Sequence, residues 1–570
     1  MKLKYISFLL IYGVLISQVN PPFIGDRFKS FRYLSTVGLI EDDLDLLLDP
    51  GRYFEVEKNI LFSGLSNIAT NNDMPFSGID GAYFMFGFKN TFKPLGNLVP
   101  LSLLYAHQTL KTPQPNFLGG RGETENFISE RYDTDGNGSL DSLHTEKIIS
   151  SSFRETKENP IFLGAAREMG NMIGGLFFFH SKFGEFFEPA GHPIFNPFGN
   201  LYYLREERDI VNGALLEKEE WSGIGKRDST FQNNMFGASL YIKELILNSD
   251  LGLQIGYGIN NLKIMEDIYT RAYTDFNPGG SLSREDRIYQ TFFNLNPSGS
   301  SYFIRFFTRR IVNQNYESED NLYFTYLSSG ISKGNTPFKR LEDIYLREDI
   351  GTGTLRENRI TNETNGSIEY EDKGNQILLG YRFKGFIDAE KRVFFAFGFF
   401  FTNYIFNSTL RTDSNFQNVN AFNDGDNELS DPDDYTTTVN YLRSDRVESS
   451  FSRRTIELPV ACEVKLSKNI LFRLGANPYF VFTEDERTFT PLYSSTRVTR
   501  TVRGDGTETI AVDPQQISTG RRNLQKGKTS GVNFAYGLSY KIGENFSMDL
   551  MGFANLTNLA NWKVSVIFKF

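Results

Sequence analysis

The last ten residues alternate, Ile567 excepted. Trp562, Val564, Val566, Phe568 and Phe570 fall on one face, while Lys563, Ser565 and Lys569 fall on the other. A period of two is the signature of a strand, because successive side chains leave opposite sides of an extended backbone. The pattern recurs upstream, where Val532, Phe534, Tyr536, Leu538, Tyr540 and Ile542 alternate with Asn533, Ala535, Gly537, Ser539 and Lys541. Gly543 and Glu544 then make a two-residue link into Phe546, Met548 and Leu550, a connection that only an antiparallel hairpin uses. Stretches 456–466, 470–474, 377–383 and 251–259 repeat the alternation, with Gly, Arg, Lys, Gln and Asn prominent on the second face.

Run length decides what the alternation means. Strands of a soluble sandwich hold about 5–6 residues, whereas these runs approach ~10, the length that crosses a bilayer at a tilt. Apolar side chains then face lipid and polar ones face a wet lumen, and only a closed barrel leaves no unpaired backbone group in hydrocarbon. Phe 54, Tyr 28 and Trp 2 make 15% of a chain that is only 40% hydrophobic, so the aromatics sit in a polar context. After the N-terminus no run approaches the ~18 apolar residues of a spanning helix. A net charge of -9 without a basic stripe offers nucleic acid no footprint. Cys462, the single cysteine, allows no disulfide framework within the chain.

The sequence thus predicts an all-β, closed antiparallel transmembrane barrel. Segments read as strands begin at 60–68, 80–90, 98–109, 159–167, 170–182, 233–246, 251–259 and 286–296. They continue at 301–312, 374–386, 392–404, 452–466, 469–483, 530–542, 545–555 and 561–570. That is about sixteen, within a range of about fourteen to eighteen, and an even number puts both chain ends on one side. Short connections at 168–169, 247–250, 297–300, 467–468 and 543–544 belong to the periplasmic rim. Polar stretches 110–158, 183–232, 313–373, 405–451 and 484–529 are expected as outer loops. Lys2 and Lys4 before the apolar run Tyr5 to Ile16 read as a secretory signal over 1–20, leaving 21–58 as a periplasmic segment and 59–570 as the barrel.

This chain resembles the Gram-negative outer-membrane β-barrel class, whose last strand ends in an aromatic residue after alternating apolar positions. The residues that carry the resemblance are Trp562, Val564, Val566, Phe568 and Phe570. It implies location in the outer membrane, contact with its lipid and recognition by the barrel-assembly machinery. Size and strand number are porin-like. TonB-dependent receptors resemble the chain less well, since a plug and 22 strands need a longer one.

Charges on the polar faces are expected to line the lumen: Arg305, Arg382, Lys384, Glu457, Glu463, Lys465, Arg473 and Lys541. They point to a channel for small hydrophilic solutes. Asp133, Asp135, Asn137, the Ser139 carbonyl and Asp141 match positions 1, 3, 5, 7 and 9 of a calcium loop, although position 12 is His144; the alternative is a solvated Asp/Gly turn. No other cofactor is expected, and no catalytic constellation stands out. Ser35 to Pro50 reads as one short amphipathic helix, stopped by Pro50 and Gly51, that either plugs the lumen or packs on the rim. A plugged barrel carrying apolar compounds, similar to the long-chain fatty acid transporter class in size only, is one rival function. A surface adhesin using its acidic outer loops is the other. Oligomeric state stays open.

Overall fold

The computed structural model describes residues 28–66, 82–93, 98–133, 135–193, 196, 198–246, 249–276, 283–349, 355–426, 431–514, 519–553 and 563–570. The expected signal segment and Trp562 lie outside the described residues.

The wall opens with β1 (Ile60–Ser66), β2 (Ala82–Phe92), β3 (Val99–Pro113), β4 (Gly122–Tyr132), β5 (Ser142–Glu158) and β6 (Ile161–Met169). It continues through β7 (Met172–Glu188), β8 (Leu201–Asp209), β9 (Leu215–Ile246), β10 (Ser249–Phe276), β11 (Ser283–Leu295) and β12 (Ser298–Asn313). Next come β13 (Ser318–Asp349), β14 (Leu355–Phe386), β15 (Val393–Asn423), β16 (Tyr435–Glu457), β17 (Val460–Lys465) and β18 (Ile470–Ser494). The last are β19 (Arg497–Arg503), β20 (Glu508–Asp513), β21 (Arg521–Ile542), β22 (Phe546–Phe553) and β23 (Lys563–Lys569).

Antiparallel pairing runs round the whole set and closes where β1 meets β23, with Leu61 opposite Phe568. Among the described residues the staves are β1, β2, β3, β5 with β6, β7, β9, β10, β11 with β12, β13, β14, β15, β16 with β17, β18, β21, β22 and β23, sixteen in number. At the outer end β4 extends the β3 stave, β8 the β7 stave and β19 the β18 stave, and β20 returns beside β19.

Two sequence assignments are corrected here, and their errors cancel in the total. The segments at 286–296 and 301–312 are one stave, because β10 pairs with β11 and β12 in line and the Leu262 amide donates to the Pro297 carbonyl at 2.9 Å. The supposed turn at 297–300 is therefore part of that stave, in unbroken register with β10. Conversely, 313–373 is no loop but holds β13 and the first part of β14, paired along their length. The other long polar stretches are likewise largely paired strand. β13 and β14 each run 32 residues, roughly 100 Å of chain at ~3.3 Å per residue. That is far more than a membrane requires.

Burial shows where lipid ends. Along the inner part of β10 the outward residues are apolar and open, Ile255 47%, Tyr257 59% and Ile259 51% exposed, while Gln254 and Asn260 point inward and are buried. Beyond Asn260 the same parity carries the opposite chemistry. Leu262, Ile264 and Ile268, at 5%, 3% and 0% exposure, now point inward, and Lys263, Asp267 and Arg271 face out. The apolar outer belt follows the short-turn end around the ring, with Leu61, Leu163, Phe236, Phe324, Leu379, Phe399, Phe472, Phe534 and Phe568 all exposed on it. A belt of this kind on a closed barrel is the outer-membrane architecture, and the longer staves rise above it into water.

Candidate functional site

The lumen is filled at membrane level by residues 28–58. Ser30 caps α1 (Phe31–Ser35), its side chain accepting from the Tyr33 amide. Val37 and Gly38 then take left-handed conformations (φ 47° and 87°) and turn the chain. Asp42 caps α2 (Asp43–Leu46) in a reciprocal capping box with Asp45. Asp49 caps a 3-10 helix over Pro50–Glu55. The single helix expected over Ser35 to Pro50 is therefore corrected to three short pieces. Two aspartates that look acidic and helical in the sequence are N-caps, and Pro50 opens a helical turn, where its missing N–H costs nothing. The Asp45 carboxylate accepts from the Ser30 amide at 2.9 Å and its hydroxyl at 2.6 Å, folding the pieces together.

Apolar side chains seat this plug around the ring. Phe28, Leu44, Leu47, Tyr53 and Val56 pack with Phe62, Met85, Leu104, Phe162, Phe177, Met235, Phe303 and Phe307. Leu39 and Ile40 meet Ala396 and Ala461, and Phe31 meets Ala535 and Met551. Each such side chain contributes roughly 2 kcal/mol when fully removed from water. The wall is glycine where the plug comes closest: a Cβ at Gly164 overlaps the Tyr53 phenol and one at Gly175 overlaps the Pro50 ring.

Charges then lock plug to wall. The Arg382 guanidinium donates to Glu41 at 3.0 Å and to Asn321, Arg52 reaches Glu41 at 3.4 Å and Glu55 at 3.0 Å, and Arg309 reaches Glu55 at 3.6 Å. Lys384 and Arg309 share Glu319, at 2.8 and 2.6 Å. A second cluster joins Arg32 of the plug to Glu463 at 2.9 Å, with Arg473 bridging Glu463 and Asp549 at 2.9 and 2.7 Å. Burial alone pushes the Glu41 carboxyl up, but Arg382, Arg52 and Lys384 beside it outweigh burial and hold it well below the usual carboxylate range. Asp42 goes the other way, raised well above its ordinary value by burial and by neighbouring Asp45 and Asp549.

Above the plug two segments leave the wall and fold inward. The chain departs the β7 stave at Glu188 and rejoins it at Leu201, and residues 189–193 and 198–200 turn into the lumen, where the Ser150 hydroxyl donates to the Gly191 carbonyl at 3.0 Å. Residues 114–121, between β3 and β4, do the same around the buried Asn116, whose amide donates to the Gly122 and Ser150 carbonyls. The two excursions touch at Phe117 and His192, ring centroids 5.9 Å apart. Phe198 and Leu118 pack on an inward cluster of Tyr203, Trp221 and Tyr289. Below that lies an apolar layer of Phe231, Leu262, Ile264, Phe293, Leu295, Ile331, Ile368 and Leu410, with Phe338 against it.

The charges expected to line the lumen fall into three groups. Arg382, Lys384, Glu463 and Arg473 belong to the network just described. Arg305 points inward over Phe307, and Glu457 accepts from Asn477 at 2.7 Å. Lys465 and Lys541 stand exposed at the periplasmic rim. Sequence reasoning missed the plug's side of the network, Arg32, Glu41, Arg52 and Glu55; the only signal was an acidic run before Pro50. In the outer region, carboxylate oxygens of Asp133, Asp135 and Asp141 lie within 4.8 Å of one another, and backbone donation from Gly138, Gly136 and Asn137 helps hold the exposed Asp133 carboxyl below its usual range. Val564, Val566, Phe568 and Phe570 share the lipid-facing side of β23.

No protein-family model matches the sequence, and no curated protein matches it. Among solved structures, the ferric enterobactin receptor of Pseudomonas aeruginosa aligns over 90% of this chain and 81% of its own at 8% identity and a TM-score of 0.28. The P. putida toluene transporter TodX aligns over 95% of this chain and 99% of its own at 9% identity and a TM-score of 0.26. The pyoverdine receptor FpvA from P. aeruginosa aligns over 90% and 78% at 9% identity and a TM-score of 0.20. The barrel assignment rests on this chain's own strand pairing and lipid belt.

Proposed function

We propose that this protein is a plugged outer-membrane transporter whose interior favours apolar solutes. The observation that carries the reading is the inversion along the staves: above the membrane the lumen is lined by Phe231, Leu262, Phe293, Phe338 and Trp221 in place of the polar lining of a water-filled pore. The plug supports it, since a solute leaving that lining for the periplasm has to pass residues 28–58. A channel for small hydrophilic solutes, which the alternation alone favours, needs a continuous aqueous path through the same plug. Transport then requires the plug to move, and its short helices and ion pairs, held between rigid staves, are the elements built to do so.

Planar-bilayer recording tests this. The full chain is expected to be silent, and a variant lacking 21–55 to conduct ohmically. Steady ohmic conductance from the full chain would overturn the plugged reading.

A further inference from the structure

The outer edge of the lipid belt is marked on three neighbouring staves by one row of outward side chains. Arg454 on β16 lies opposite Phe482 on β18, and Phe482 lies opposite Lys528 on β21. Phe482 is the last ring of the exposed outward series Phe472, Leu474, Phe480 and Phe482 on β18, and Glu484 is the next outward residue. Arg454 and Lys528 are both exposed, and the Lys528 ammonium stands 5.7 Å from the centre of the Phe482 ring. At ~4.8 Å between strands the two cations leave the wall roughly 10 Å apart, with the ring between them.

Neither cation has a carboxylate within ion-pair distance among the described residues. The cations farther up β21 do: Lys526 pairs with Glu484 at 3.4 Å and Arg522 with Glu486 at 2.6 Å. Two like charges held this close beside hydrocarbon repel, and an anion between them relieves the repulsion. A lone cation at such a boundary only has to reach up to water. Here hydrocarbon lies directly below the pair and the head-group layer directly outside it, so the counter-ion at hand is a lipid phosphate. A guanidinium meets a phosphate with two parallel N–H donors, and an ammonium adds a point charge to the same group.

We infer that Arg454 and Lys528 clamp the phosphate of an outer-leaflet lipid, its head group seated over Phe482 and its acyl chains lying along Phe480, Val532 and Phe534, all exposed on the same outward face. The inference is independent of what the lumen carries. Height selects the occupant. The row stands where the outward chemistry of β18 changes from Phe480 and Phe482 to Glu484 and Glu486, the level at which phosphate and acyl chain meet in a lipid. A dissolved phosphate gains the two cations but no apolar floor, and a lipid without phosphate gains the floor and leaves the cations unmatched.

Native mass spectrometry of the refolded full chain, released from neutral detergent, tests this with dipalmitoyl phosphatidate and with dipalmitoylglycerol, its counterpart without phosphate. Phosphatidate is expected to be held about tenfold more tightly or better, the ratio one charge-assisted bond supplies, and to be lost as ammonium acetate is raised. Arg454→Gln/Lys528→Gln is expected to abolish the preference. Arg522→Gln/Lys526→Gln, which removes cations already matched within the wall, is expected to keep it, and heat-modifiable migration on gels reports that both variants remain folded barrels. Equal retention of the two lipids by the unaltered chain overturns the clamp. Equal loss of the preference in both double variants overturns it too, leaving only a diffuse positive surface. Displacement of phosphatidate by millimolar inorganic phosphate overturns the lipid as occupant in favour of a dissolved anion.

Discussion

Arg382 shows how a charge can sit inside a barrel wall at almost no exposure: it is matched by Glu41 and Asn321. Removing one partner of a buried pair strands the other, at a cost of about 3–5 kcal/mol. Arg382→Gln is therefore expected to loosen the plug, seen as conductance bursts in the full-length chain, and Glu41→Gln added to it to restore most of the silence. A quiet Arg382→Gln barrel would show that the apolar seating suffices alone. Gly164 makes the same point sterically. Its Cβ overlaps the Tyr53 phenol, so Gly164→Val is expected to open the barrel while leaving strand content by circular dichroism unchanged. At this scale the sequence was half legible. Alternation alone puts Arg305, Arg382, Glu463 and Arg473 on the inner face, because parity is a local property. It says nothing of Glu41 as the partner of Arg382, since that contact joins residues 341 positions apart.

Among the elements, the staves that the sequence misread are those that outgrow the membrane. β13 carries apolar side chains outward at Phe324 and inward at Leu327 and Ile331, and its register with β14 slips between Ile331 and Gly334, which exchanges the faces once more. Averaged along the segment, no single alternation survives, so it reads as polar loop. The stave of β11 and β12 failed for the opposite reason, since Asn296 and Pro297 look like a turn while the ladder runs on past them. Limited trypsin digestion of reconstituted protein checks the correction. Despite Lys333, Lys339, Arg347, Arg356 and Arg359, the stretches 318–349 and 355–386 are expected to resist cleavage, as paired strand does, and rapid cuts at Lys339 or Arg359 would restore the loop reading. The 133–141 turn was legible as a pattern of oxygens. Calcium there is expected to show as terbium luminescence competed by calcium and lost in Asp133→Asn/Asp135→Asn; without such a signal the turn is only solvated.

For the molecule as a whole, the closed barrel, its antiparallel order and its lipid face followed from periodicity and run length, whereas the seating of the plug did not, because it depends on a fit between remote surfaces. Acidity separates the two kinds of carboxylate in that seat. Glu41 and Glu55 are depressed, so their contribution is present above the unfolded value and disappears only as pH falls through the lowered one. Asp42 is raised, so its contribution is complete below the unfolded value and fades as pH climbs through the raised one. Going from about pH 7 to about pH 4 is therefore expected to leave the full-length barrel silent, with opening only in stronger acid. Conductance appearing by about pH 5 would mean that the depressed carboxylates do not hold the plug.

The stopper and the tube are one polypeptide. Val56 leads within four residues into β1, where Asn59 and Phe570 exchange backbone hydrogen bonds at 3.2 and 3.0 Å and tie the foot of β1 to the end of β23 at the closing seam. Whatever dislodges the stopper leaves it on a leash a few residues long, at a high effective concentration beside its own socket. Reclosure is then first order and indifferent to protein abundance, so each opening ends by itself unless the force or solute that caused it persists.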